Sequence, residues 1–360
     1  MTSRERVLAA LNHEQPDAVP SEYFGTPEIE DALLKHFGVD SHDALLTCLG
    51  TDLRMVEPDY IGPELKTFED GSFEDIWGVI KAPMQNEFGA YNESSYLPFE
   101  EMTTLEQVAA HRWPSPDWYD YSSLPEKCRQ YEGYAVYLGR PGYMDLINGI
   151  AFGRGVEQVI MDIATEEPVF LELMDRRARF FLQHCDQALT AAKGRIDILF
   201  MGDDYGTQNG LLMHPDTWRK LFKPRMKAMI DLAHSHNAKV VHHCCGSSRA
   251  IMEDFIEIGL DCLQTIQPQA VGMDPDELKA DFGDRLCFHG AIDVQGGLQN
   301  GTPEEIRTMV LDRIATMNQN GGYICGPSHN IQPDTPLENV LAMYEAIQET
   351  RRVQRPRPTR

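Results

Sequence analysis

The segment Val240-Val-His-His-Cys-Cys-Gly246 sets a histidine and a cysteine two residues apart twice over. Alternate side chains of an extended chain share a face, so an imidazole nitrogen and a thiolate spaced this way can grip one metal ion together. The two pairs, His242 with Cys244 and His243 with Cys245, face opposite sides, and only one can point into the interior of a closed sheet. We take His243 and Cys245, because Cys245 directly precedes Gly246, where the strand turns and a ligand reaches the open end. A third donor has to come from another strand end. Cys325-Gly-Pro-Ser-His-Asn330 offers Cys325 inside a strand and His329 in the loop behind Gly326 and Pro327. Asp203 or Asp204 could add a carboxylate or orient a histidine. The competing reading of each pair is a buried thiol beside a hydrogen-bonded core histidine.

Those residues need a scaffold that brings separate strand ends together. Apolar strand-like runs centred near residues 20, 55, 136, 199, 241, 263, 287 and 324 alternate with helical patterns. One helix carries Phe170, Leu173, Met174, Ala178, Phe181, Cys185 and Leu189 at three- and four-residue steps. Another opens on Thr302-Pro-Glu-Glu305, a capping box with proline at the first helical position. Eight alternating units favour an α/β chain folded as a (β/α)8 TIM barrel. The barrel is expected to fill residues 1–350 as a single domain, with an insertion at about 60–130 after the second strand and a frayed basic tail over 351–360. In such a barrel, chemistry gathers at the C-terminal strand ends. These ends present Glu22 and Tyr23, Glu57 and Asp59, Arg140, Asp203 with Asp204 and Tyr205, Gln264 and Gln267, and His289. Neither G-x-G-x-x-G after a strand nor G-x-x-x-x-G-K-[ST] occurs, so dinucleotide and P-loop readings lose their usual support.

Composition narrows the partners. The 360 residues are 42% hydrophobic, and 32 basic against 56 acidic side chains leave a formal charge of −24. A surface that negative repels nucleic-acid phosphates and anionic lipid, so neither is an expected partner. No apolar run approaches the roughly 18 residues of a membrane span, and the N-terminal segment has no apolar signal core. Eight cysteines scattered over so long a chain read as thiols rather than a disulfide framework, and a cytoplasmic protein is expected.

The pattern resembles the uroporphyrinogen decarboxylase-like superfamily over almost the full length. The likeness runs from Arg4-Glu-Arg-Val-Leu-Ala-Ala-Leu11 and Pro16-Asp-Ala-Val-Pro20 to Pro336-Leu-Glu-Asn-Val340. Its strongest segments are Gly202-Asp-Asp-Tyr-Gly-Thr-Gln208, His243-Cys-Cys-Gly246, Ala270-Val-Gly-Met-Asp274, Phe288-His-Gly-Ala-Ile-Asp293 and Gly321-Gly-Tyr-Ile-Cys325. The decarboxylases of that superfamily hold tetrapyrrole carboxylates with N-terminal arginines and use no metal. Here the matching stretch, Val19-Pro-Ser-Glu-Tyr-Phe-Gly-Thr26, has no arginine, and an octacarboxylate beside Glu22 would be repelled.

The other branch is similar to methylcobamide-dependent methyltransferases, which bind zinc through His-x-Cys and a later cysteine. They exchange methyl groups with a corrinoid carried by a partner protein. The resemblance places His243 and Cys245 on the first pair and His329 where the later cysteine falls. It implies Zn2+ on these three residues, a corrinoid (methylcobalamin) on a corrinoid-binding protein, and a small methylated substrate. A set with one thiolate is a harder centre than one with two, which favours a methyl ether or methylamine over a thiol. Asp203, Asp204 and Tyr205 are the expected catalytic groups; Glu22, Tyr23, Asp59, Arg140, Gln208, Gln267 and His289 are the expected substrate contacts. The alternatives are a metal-free lyase acting on another carboxylic acid, with Asp203 or His289 donating a proton, and a non-catalytic binding subunit.

Overall fold

The computed structural model describes residues 1–85, 87 and 89–353. Seven strands form one parallel sheet in chain order: β1 (Leu53–Val56), β2 (Ala135–Gly139), β3 (Ile198–Gly202), β4 (Lys239–His243), β5 (Cys262–Ile266), β6 (Cys287–Ile292) and β7 (Tyr323–Pro327). Helices follow the strands, including the long Pro168–Ala192 between β2 and β3 and Pro303–Met317 between β6 and β7. The strands are apolar on both faces because both are covered, as parallel sheets require. Ile198, Phe200, Val241, Cys262, Cys287 and Ile324 fill an inner cluster, while Leu199, Met201, Val240, Leu263 and Phe288 pack outward against the helices. This is a mixed α/β architecture with a curled sheet, consistent with a TIM-like barrel.

The strand expected near residue 20 is reduced to a bridge. Between the two edge strands lies the segment 20–22: Cys325 N–H donates to the Pro20 carbonyl, Glu22 N–H to Cys325, and Asp52 N–H to Ser21. Ser21 and Gly25 make only isolated bridges, to Cys325 and Ile331. Pro20 has no N–H to contribute, and Thr26 already caps the helix Pro27–Phe37, so little chain is left to pair. The stretch between β1 and β2 carries two small antiparallel pairings of its own, Asp59–Tyr60 with Tyr119–Asp120 and the hairpin of Ile80–Gln85 with Ala90–Tyr96. Aromatic rings tie it to the long helix, Trp77 lying 5.2 Å from Phe180 and 5.9 Å from Phe181.

Asp52 pins the place where the sheet's edges meet. It is fully buried, accepts the Ser21 N–H at 2.8 Å, pairs with Arg6 at 2.8 Å and also pairs with Arg351. Arg351 corrects the expected tail: the last helix runs Leu337–Val353, and Arg351 is held by Asp52, Ser21 and two carbonyls. The rest of the expected basic tail, 354–360, lies outside the described residues. Asp52→Ala would leave two guanidinium groups short of a buried partner and should cost about 3–5 kcal/mol in urea unfolding. Asp17→Ala, which breaks only exposed pairs with Arg6 and the N-terminus, should cost less than about 1 kcal/mol. Equal losses in the two variants would remove Asp52 from this role.

Candidate metal centre

The strand period sorts the two histidines of β4. His242 faces the helices, stacked on Tyr205 at 5.6 Å and 19° and near Phe255 at 5.7 Å. Cys244 is buried on the same side and accepts the Tyr205 N–H through Sγ at 3.4 Å. His243 points inward, where its Nδ1 meets the Gln264 side-chain oxygen on neighbouring β5. That oxygen can only accept, so Nδ1 carries the hydrogen and the Nε2 lone pair is turned toward Cys245, whose Sγ is 3.2 Å away. Cys245 lies just past the strand end. Its N–H donates to Asp204 Oδ1 at 2.8 Å, and Gln267 Nε2 lies 3.8 Å from its sulfur. Gly246 follows with φ 75°, and a Cβ there would come within 2.6 Å of the Thr207 carbonyl, so only glycine lets the chain turn here.

His329 enters from the loop after β7. Its ring centroid is 6.0 Å from that of His243, and one donor atom each from His243, Cys245 and His329 lies within 4.8 Å of the other two. Burial and the neighbouring His243 hold the His329 imidazole below its usual range, while burial and the Asp204 charge push the Cys245 thiol up. Two imidazoles and one thiol are a donor set suited to a tetrahedral zinc site that keeps a fourth position open. Cys245 and His329 line a cavity of about 620 Å3 at the C-terminal strand ends, together with Gln208, Gln267, Gln295 and Asp334.

The other expected residues divide. Asp204 sits beside the centre, its Oδ1 3.6 Å from His243 Nε2 and its Oδ2 accepting from Asn148 Nδ2 at 2.8 Å. Gln208 and Gln267 line the cavity, and the Gln267 oxygen also accepts the Gly246 N–H at 2.7 Å. Asp203 instead turns away and is buried: it accepts the N–H groups of Leu146 and Ile147 at 3.1 and 3.0 Å. Burial and the adjacent Asp145 carboxyl push it well above the usual carboxylate range. Tyr205 is buried among Trp218, Phe222 and His242, so it does not reach the cavity. Tyr23 packs outward against Tyr344 and His42. Asp59 is tied to Lys127 and Ser123, each at 2.7 Å, at the base of the insertion. Arg140 pairs with Glu57 at 3.2 Å and lines a different cavity. Cys325 is fully buried in the core and outside the donor cluster. Adjacency to a strand end does not tell which face a side chain takes, and that is why these positions miss the centre. Asn148 and Gln264, which hold Asp204 and His243 in place, lack a charge that would single them out; only the position of Gln264 at a strand end points to it.

A family model described as uroporphyrinogen decarboxylase (URO-D) matches residues 146–350. A uroporphyrinogen decarboxylase of Coxiella burnetii is 31% identical over 142 residues, covering 37% of this chain and 38% of that protein. The methylcobamide:CoM methyltransferase MtaA of Methanosarcina barkeri is 30% identical over 153 residues, 42% of each chain. The chain thus spans about two fifths of the length of the curated relatives it matches. A solved structure titled as a methyltransferase from Methanosarcina mazei superposes with a TM-score of 0.62 at 19% identity, covering 97% of this chain and 99% of that one, which shows the shared fold.

Deeper in the sheet interior, Glu22 and His289 form a neutral pair. Both are buried, with Glu22 Oε2 3.3 Å from His289 Nε2 but without the alignment of a hydrogen bond. Burial pushes the Glu22 carboxyl up to about 8 and holds the His289 imidazole down to about 3. Glu22 therefore keeps a proton that the unfolded chain releases above about pH 4.5, so its contribution to stability is full below that pH and is lost as pH rises toward 8. Glu22→Gln removes that loss. Relative to the parent, the variant should gain on the order of 3 kcal/mol between pH 5.5 and pH 8.5 in paired denaturation curves. A difference independent of pH would show that Glu22 is charged in the folded protein.

Proposed function

The chain belongs to the uroporphyrinogen decarboxylase (URO-D) family, and within it we propose that this protein is a zinc-dependent methyltransferase. It would move a methyl group between a small methylated substrate, of methyl ether or methylamine type, and a corrinoid carried by a partner protein. The observation that carries the reading is the meeting of His243, Cys245 and His329, the last two of which line the 620 Å3 cavity. The names of relatives such as the methylcobamide:CoM methyltransferase of Methanosarcina barkeri support the corrinoid part.

A zinc ion held by these three residues would supply Lewis acidity toward the substrate's heteroatom. The chain's own residues do the positioning. Gln264 fixes the His243 ring so that Nε2 faces Cys245, and Asp204 fixes the turn that presents Cys245. The side-chain amides of Gln208 and Gln267 offer neutral donors and acceptors for orienting a small polar substrate. Among the described residues, no lysine or arginine lines this cavity, and Asp334 does. A polycarboxylate has nothing there to neutralise it, whereas a neutral ether or a protonated amine is tolerated.

Protein purified without chelator should carry about one zinc per chain, falling below about 0.2 in Cys245→Ala and in His329→Ala with the fold retained. The parent should methylate cob(I)alamin from at least one member of a panel of methyl ethers and methylamines, and both variants should lose that turnover. Full activity in metal-free protein would sink the zinc reading. Bound zinc with no turnover on any donor would favour the lyase.

A further inference from the structure

A second cavity, of about 480 Å3, shares no lining residue with the metal-donor cavity. It lies between the insertion, the loop after β2 and the long helix Pro168–Ala192. Its walls include the rings of Trp77, Tyr119, Phe152, Phe180 and Phe181. Arg177, on the long helix, also lines it and is only 6% exposed. The guanidinium lies 4.2 Å from the Trp77 ring centroid and 5.2 Å from that of Phe181. Its Nε donates to the Asp145 carbonyl at 2.5 Å, and its two Nη groups donate to no acceptor among the described residues. Gly149 makes the room, since a Cβ there would collide with the guanidinium.

The charges around the cavity are otherwise answered. Arg140 pairs with Glu57 at 3.2 Å, Lys81 with Asp75 at 3.6 Å, and Glu74 with Arg112 at 2.8 Å. His184 hydrogen-bonds Tyr121 and Tyr143 through its two nitrogens, at 2.9 and 3.2 Å, and burial holds it down to about 4, so it is neutral. Asp145 is buried with Oδ1 unpartnered; burial pushes its carboxyl up, while the neighbouring Asp203 carboxyl and the Arg177 charge hold it down. Arg177, which stays protonated even when buried, feels the nearby Asp145, Asp75 and Asp203 but makes no ion pair with them, so its Nη donors are left open to the cavity. A planar fork of donors at the end of an aromatic-walled cavity suits an anion with a flat apolar body.

We propose that this cavity binds a small aromatic carboxylate, with the carboxylate taken by the Nη groups of Arg177 and the ring packed among Trp77, Phe180 and Phe181. The site is independent of the methyl-transfer reading and needs no metal. The probes are 4-fluorobenzoate and its uncharged analogue 4-fluorobenzamide, followed by 19F NMR and by tryptophan fluorescence on the full chain. The acid should bind saturably to the parent, and the amide about tenfold or more weaker. Arg177→Gln should bring the acid down to the amide's level while far-ultraviolet circular dichroism is unchanged. The parent's preference for acid over amide tests the site even where that variant does not fold. No saturable binding of the acid up to about 10 mM, equal binding of acid and amide, or undiminished binding in a folded Arg177→Gln protein would each overturn the proposal.

Discussion

Strand β4 ends with polar groups on both of its faces, and the two-residue period of the strand decides the fate of each. Its register against β3 and β5 sends His243 into the sheet's interior and His242 into the helix layer. A slip of one residue would exchange them, placing His243 against Tyr205 and Phe255 and leaving Cys245 without its histidine. The apolar residues upstream hold the register, because Val241 belongs to the inner cluster and Val240 to the outer one. Everything at the centre follows from that choice. Gln264 answers the inward ring, Asp204 takes the N–H of the turning residue, and the loop after β7 brings His329 across the cavity.

The groups around the centre show how differently this fold treats charge in its layers. Inside the sheet, Glu22 and His289 are kept neutral by burial. At the seam between the sheet's edges, Asp52 stays surrounded by two guanidinium groups and an N–H. In the cavity mouth, uncharged amides and a single aspartate replace the cations that a polyanionic substrate would need. The second cavity sets a buried guanidinium among aromatic rings, with its other charges engaged in pairs.

Seven of the eight expected strands are legible because each is a short apolar run bounded by helical pattern, and the pairing of His243 with Cys245 is legible because i and i+2 on a strand share a face, whereas spacing alone leaves Cys325, His329 and the Asp203–Asp204 pair open as third donors. The first strand is the exception: Ala18 to Phe24 has the composition of a strand, but Pro20 and the helix cap at Thr26 leave it only bridges. Tyr205 and Asp203 leave the centre for a related reason. They follow a strand end immediately, and the turn after β3 carries them into the helix layer and the Leu146–Ile147 turn. Arg177 and His184 were hidden by their setting in the apolar stripe of the long helix, where they sit three residues beyond Met174 and Phe181. A charged residue at a core position of that stripe is the signal that could have found the second cavity.

The proposed metal centre requires one thiolate and two imidazoles on a single ion. X-ray absorption at the zinc edge of protein loaded with zinc reads that set directly, since sulfur and nitrogen scatter at different distances, about 2.3 Å against about 2.0–2.1 Å. The predicted result is one sulfur with two imidazole nitrogens and one further light atom, the sulfur shell vanishing in Cys245→Ala. A shell of two or more sulfurs, or none, would contradict the assignment of His243, Cys245 and His329.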